Sequence, residues 1–319
     1  MSSKNPVRRA PHFVAEVDEG GLGAVDAVRV SERKSNLWLD AWRDLRGRWM
    51  FWVSAAVILF IVFVALFPTV FTQAPPNDQC FLSNSNGGPQ PGHPLGFTFQ
   101  GCDVFARIVH GTSTSLTVGV IVTVMVAIMG IVLGAFAGYF GGWLDSFLMR
   151  IGDIFFAIPY ILAAVVIMSM FLHQRDIWVI SLAIGFFSWP ATARILRSEV
   201  LRVKQLDFVM ASEALGLSRV RTMFTHVLPN SIAPVIVVST VGLAAAITAE
   251  ATLSFLGVGL PNNIYMSWGN DIAAAQTSLR IAPQTLIYPS IALSVTVLAF
   301  IMLGEVVRDA LDPKARAQR

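Results

Sequence analysis

Six long apolar runs set the terms on which this chain can fold. They cover roughly residues 50–71, 114–140, 147–172, 177–193, 232–256 and 285–306, the fourth being the shortest. A bilayer's hydrocarbon layer is about 30 Å thick and takes roughly 20 residues of helix to cross. Only a helix or a closed barrel satisfies its own backbone where there is no water. With 55% of its residues hydrophobic and 13% charged, the chain reads as an all-α integral membrane protein. The first run begins nearly fifty residues in and lacks a small-residue cleavage site, which makes it a retained span and not a removable signal peptide.

Basic residues accumulate on the cytoplasmic side of a membrane. With six spans and the N-terminus inside, 20 of the 23 Lys and Arg fall in the inner segments, and only Arg107, Arg175 and Arg280 lie outside. Both termini are therefore expected in the cytosol. The net charge of +3 follows from topology, and nucleic-acid binding is not needed to explain it. The same map puts Cys80 and Cys102 in one long outer loop facing an oxidising compartment. There they form a bridge contributing about 3 kcal/mol or remain two free thiols. His93 alone, among turn residues Gly92, Pro94 and Gly96, makes no metal site.

Residues 1–35 mix Pro, Gly and both charges without apolar periodicity and are expected to be disordered cytoplasmic chain. Residues 36–72 comprise an amphipathic stretch and the first span. Leu37, Trp38, Ala41, Trp42 and Leu45 share one face of that stretch. It is either a helix at the inner headgroup level or an extension of the span, with Trp49 and Trp52 at the interface. Residues 73–113 form the outer loop, 114–306 a core of five spans, and 307–319 a cytoplasmic tail. Gly130, Gly134 and Gly138 allow close approach of another helix. Pro159 and Pro190 interrupt the third and fourth runs.

Between the fourth and fifth runs lies FVMASEALGLSRVRTMFTHVLPN, residues 208–230, too polar to span and too patterned for slack linker. A short helix over 208–215 should stop at Gly216, where a left-handed cap is free of strain. Ser218 should cap a second helix running to Leu228 and closed by Pro229. Its apolar stripe would be Val220, Phe224 and Val227. That stripe either packs back on the bundle or is held by a soluble partner.

The segment resembles the cytoplasmic coupling segment of permease subunits of bacterial binding-protein-dependent ABC importers. That pattern is Glu-Ala-Ala, three residues, Gly, nine residues, usually Ile, any residue, then Leu-Pro. Met210, Ala211, Ser212, Gly216, His226, Leu228 and Pro229 occupy its places. Met210 replaces the Glu, and Glu213 one turn later offers a carboxylate on the same face. Six further stretches, HPLGFTFQGCDVFARIVHGTSTSL, GYFGGWLDSFLMRIGDIFFAIP, RSEVLRVKQLDFV, AEATLSFLGVGLP, SWGNDI and LGEVVRDALDP, are similar to the C-type subunit of the dipeptide, oligopeptide and nickel permeases. Cys102 stands where that family usually has Arg, and a cysteine arriving together with Cys80 favours the bridge.

The resemblance implies six transmembrane helices in a type I (MetI-like) importer permease bundle with a cytoplasmic coupling segment at 207–229. It implies ATPase docking through Phe208, Met210, Ala211, Glu213, Ala214, Leu215, Gly216, Leu217, Phe224, Leu228 and Pro229. Expected partners are a second, B-type permease, two ATPase subunits and an extracytoplasmic binding lipoprotein, all at the bacterial cytoplasmic membrane. The chain itself would hold no cofactor, ATP and Mg belonging to the ATPases, and di- or oligopeptides would be the cargo. Nothing matches G-x-x-x-x-G-K-[ST], H-E-x-x-H or G-x-S-x-G, which speaks against nucleotide binding by a P-loop and against a membrane hydrolase. An ion-coupled carrier would need this chain alone.

Charges at membrane depth are costly and generally face a bundle interior or water. Glu250, about 24 Å along the fifth run, either lines a translocation path or hydrogen-bonds between helices. Arg150 and Asp153 are spaced to pair on one helix face. Glu305, Arg308, Asp309 and Asp312 should emerge into the cytosol.

Overall fold

The computed structural model describes residues 37–311. The expected disorder of residues 1–35, and Asp312 in the tail, lie outside the described residues. Within them the first two helices are α1 (Leu37–Arg46) and α2 (Trp49–Leu66). They are distinct elements, so the amphipathic stretch is not an extension of the first span. Ala41 is buried while Trp38 and Trp42 are exposed. Arg48, in the break, donates to Asp44 at 2.8 Å and to Asp309 at 2.7 Å, tying this corner to the end of the last span. The first span is shorter than its apolar run. Pro68 pushes Phe67 out of helical geometry (φ −128°, ψ 56°), and only the single turn α3 (Pro68–Phe71) follows.

The outer loop leads into α4 (Val104–Phe140), 37 residues long and begun by Asp103, whose side chain accepts from the Ala106 amide at 3.0 Å. This helix starts ten residues before the expected 114. Arg107 and His110 depress the local hydropathy, but their stretch is helical, with Val104, Arg107 and Gly111 on its buried face.

The third run is broken. Helices α5 (Gly142–Ala157) and α6 (Tyr160–Met170) meet at 78°, because Ile158, preceding Pro159, is extended (φ −92°, ψ 120°). Pro190, by contrast, sits inside the continuous α7 (Ile177–Val203), which extends ten residues beyond the expected Ala193 end. The arm follows as α8 (Asp207–Ala214), α9 (Arg219–Thr222), a π-helical turn Met223–Val227 and α10 (Leu228–Ser231). Then come α11 (Ala233–Phe255), α12 (Trp268–Ala275) and α13 (Gln284–Leu311). Among the described residues, five helices are long and apolar enough to cross a membrane, six if α5 and α6 count as one broken span.

The glycine repeat of α4 finds its partner in α7. A Cβ on Gly130 would lie 2.6 Å from Thr192 Cγ2, and one on Gly134 would lie 2.5 Å from the Ala193 carbonyl oxygen. The α4 backbone is therefore packed against the Thr192 side chain at Gly130 and against the α7 backbone at Gly134, the close packing that substitutes for hydrophobic drive in lipid. Around this pair Val118, Met168, Ile180, Ile184 and Leu253 form one apolar cluster. Ile61, Leu116, Ile247, Trp268 and Phe300 form another, which seats α2 and α13.

Candidate functional site

The arm turns where α8 ends. Its last turn closes with the Gly216 amide donating to Glu213 O at 3.0 Å and the Leu217 amide to Ser212 O at 3.2 Å. Gly216 has φ +89°, so the chain reverses in a Schellman motif that glycine adopts without Cβ strain. Ser218 then accepts from the Arg221 amide at 3.4 Å and caps α9.

The expected second helix reaches Leu228 and runs on to Ser231, but not as a regular α-helix. Pro229 stands inside α10 and not at a helix end, and the turn before it widens into the π-helical Met223–Val227. A proline removes an amide and crowds the carbonyl four residues earlier, here that of Thr225. Asn230 Nδ2 donates to His226 O at 2.6 Å and Ser231 Oγ to Val227 O at 2.8 Å, occupying carbonyls in the widened turn.

The expected stripe Val220, Phe224 and Val227 is split between two faces. Val227 is buried with Val209 and Met223 against Leu196, Val200 and Val235, which binds the arm to α7 and α11. Val220 and Phe224 are exposed, as are Phe208, Met210 and Leu215, the last 83%. Ala211, Ala214 and Pro229 are exposed as well, while Leu217 and Leu228 are half-buried. The stripe therefore packs back on the bundle at Val227 alone and stays exposed at Val220 and Phe224. Glu213 is exposed too, yet its carboxylate is also engaged within the chain. Its Oε1 accepts from the Tyr139 hydroxyl at 2.7 Å.

Beside the arm, two ion pairs hold α5 to α7. Arg197 reaches both oxygens of Asp145 at 2.5 and 2.6 Å, and Arg194 donates to Asp153 at 2.7 Å while lying 4.4 Å above the Phe156 ring. Asp153 therefore has a closer partner than the expected Arg150, which stands at 3.8 Å and is 85% exposed. No local spacing pointed to Arg194, 41 positions away.

At the α5–α6 break, a cavity of about 420 Å³ opens between α4, α5, the start of α6, α7 and α11. Its lining is mostly apolar, with Thr123, Tyr160, Ser188, Thr192 and Ser239 the hydroxyl-bearing residues and no formal charge. Glu250 does not line it. That side chain is 0% exposed. It accepts from Ser254 at 3.0 Å and Ser115 at 3.4 Å and also hydrogen-bonds Ser267. Of the two alternatives for Glu250, this chain's geometry is that of the interhelical bond: α4, α11 and the cap of α12 meet on one carboxylate.

At the outer end Cys80 and Cys102 are joined by a disulfide, Cα–Cα 4.3 Å. The loop so closed lies over a second buried polar node. Arg107, 3% exposed, donates to Asp271 Oδ1 at 2.6 Å and to Asn262 at 2.5 Å, and also to Asn77. Burial raises the Asp271 carboxyl above its ordinary value, against the pull of the Arg107 guanidinium. Arg107 had registered only as a loop cation, because hydropathy carries no information about a partner 164 positions away.

The profile described as "Binding-protein-dependent transport system inner membrane component" matches residues 130–317, more than half of the chain. The chain belongs to this family. A second profile, the N-terminal TM domain of oligopeptide transport permease C, matches residues 36–89. The permease is 36% identical over 279 residues to the glutathione transport system permease protein GsiD of Salmonella typhimurium, covering 88% of this chain and 91% of that one. It is 33% identical over 299 residues to the oligopeptide transport system permease protein OppC of Bacillus subtilis, covering 94% and 97%. A solved structure titled as inward facing conformations of the MetNI methionine ABC transporter aligns with TM-score 0.49 at 16% identity, over 63% of this chain and 96% of that one. The permease is accordingly a multi-pass membrane subunit of a binding-protein-dependent ABC importer, with the C-subunit organisation of the dipeptide and oligopeptide systems.

Proposed function

We propose that this permease forms a translocation path for short peptides together with a B-type permease, driven by two separate ATPase subunits that dock on the arm. The observation that carries the reading is the two-faced arm. Val209, Met223 and Val227 are packed into the bundle, while Phe208, Met210, Leu215 and Phe224 stay exposed on the opposite side. An apolar helical face left uncovered in this way suits a groove on a soluble partner. Its place among the Lys- and Arg-rich segments supports a cytosolic position, with both termini on the same side.

ATP and Mg would be held by the ATPase subunits, and closure of that pair would displace the arm. A binding lipoprotein would deliver cargo at the outer mouth, beside the Cys80–Cys102 loop. Peptide cargo is supported by the names of the relatives, one a glutathione and one an oligopeptide permease. It is also supported by the uncharged, hydroxyl-dotted cavity, which suits a backbone of varied side chains better than it suits one ion.

The test is reconstitution in proteoliposomes. The permease alone should accumulate no peptide, and the assembled transporter with ATP and loaded binding protein should. Accumulation by the lone chain would overturn the reading.

A further inference from the structure

Glu213 sits one turn after Met210 on α8, the place from which a carboxylate was expected to reach the ATPase. In the fold Glu213 is exposed, and one oxygen of its carboxylate is bound within the chain, accepting the Tyr139 hydroxyl at 2.7 Å. Tyr139 is the penultimate residue of α4, its side chain packed among Leu196, Val200, Val209 and Met223. On the same last turn the Gly138 carbonyl accepts from Lys204 Nζ at 2.8 Å. From there α4 runs without a break for 37 residues, about 55 Å at 1.5 Å per residue. It ends at the Asp103 cap and the Arg107–Asp271 pair, and its inner half is stiffened by close contact with α7 at Gly130 and Gly134.

We propose that Glu213 is a positioning residue: its bond to Tyr139 locks the arm to the inner end of α4, so that arm displacement travels along α4 to the outer mouth. Contact with the ATPase falls to the exposed apolar side chains Phe208, Met210, Leu215 and Phe224. This inference rests on the docking role proposed above. The physical reason for a polar lock is directional. Apolar packing between arm and bundle tolerates sliding, whereas a hydrogen bond to a charged acceptor is short, angle-dependent and resists it.

The experiment uses the assembled transporter in proteoliposomes, with Tyr139→Phe, Glu213→Ala, Glu213→Gln and Leu215→Asp variants. Two quantities are read: ATPase subunits retained on the affinity-purified permease, and ATP hydrolysis stimulated by peptide-loaded binding protein. Tyr139→Phe removes one oxygen and keeps the buried ring, so the fold is preserved. Tyr139→Phe and Glu213→Ala should retain the ATPases and lose stimulation on the order of tenfold. The double variant should be no worse than either single one. Glu213→Gln, whose amide oxygen still accepts, should keep most of the stimulation.

Full stimulation in Tyr139→Phe or Glu213→Ala overturns the proposal. So does loss of ATPase retention in Glu213→Ala, or failure of Glu213→Gln, either of which would make the charge a partner contact. Leu215→Asp separates this from the docking reading: it should release the ATPases, and retention there would overturn docking itself.

Discussion

Arg107 on α4 and Asp271 on α12 meet as a buried ion pair, Nε to Oδ1 2.6 Å, across 164 positions of sequence. Both are nearly inaccessible, at 3% and 7%. Removing one partner of such a pair strands the other charge, at a cost of about 3–5 kcal/mol. Asp271→Ala should therefore sharply lower the thermal stability of the purified permease in detergent. The double replacement Arg107→Met with Asp271→Leu should recover much of that loss, as read by the same melting experiment.

Glu250 should matter through its acceptors. Glu250→Gln keeps an oxygen for Ser115, Ser254 and Ser267 and should melt close to the parent. Glu250→Leu leaves those buried hydroxyls short of a partner, about 1–3 kcal/mol, and should melt clearly lower. Equal stability of the two variants would remove the interhelical role.

Gly134 makes the closest approach to the α7 backbone in the α4 glycine repeat. A methyl group there would meet a backbone oxygen at 2.5 Å, which cannot rotate away. Gly134→Ala should destabilise by about 1–3 kcal/mol. Gly242→Ala, where an added Cβ meets nothing within 4 Å, is the matched control and should be nearly silent.

Gly216 is constrained by its backbone and not by space, since its φ is +89° and no atom lies within 4 Å of an added Cβ. Gly216→Val should distort the arm at a local cost of about 1–2 kcal/mol. Membrane levels of the permease should stay near normal while stimulated ATP hydrolysis in the assembled transporter falls. Unchanged hydrolysis would count against the arm as the coupling element.

The Cys80–Cys102 bridge closes a separation of 22 residues, worth about 3 kcal/mol in chain entropy. Tryptic fragments of the unreduced protein should show the linked pair by mass. Reduction should lower the melting temperature, and two alkylatable thiols in untreated protein would refute the bridge.

Much of the fold was legible because the signals are local. The apolar runs found the spans, Pro159 marked the α5–α6 break, and Gly216 with Ser218 marked the arm's turn. What went unread has one cause. Pro190 and Pro159 look alike in sequence, yet one lies inside a straight-through helix packed on α4 and the other ends a helix, and only neighbours distinguish them. Arg107 depressed the hydropathy of its stretch and hid the first ten residues of α4. Val220, Phe224 and Val227 obey helical spacing, but the π turn before Pro229 rotates Val227 onto a different face.

The sequence by itself determined residence in the membrane, the existence and place of the arm, and the points where helices must stop, because hydropathy, glycine and proline act through each residue's own solvation and torsion angles. Tertiary structure alone decided which partner satisfies each buried charge and which face of the arm stays uncovered. Tyr139 with Glu213, Arg107 with Asp271 and Arg194 with Asp153 are separated by 74, 164 and 41 positions. Such pairings are chosen by the packing of whole helices, where a buried polar group must find a partner, and no local pattern carries that information.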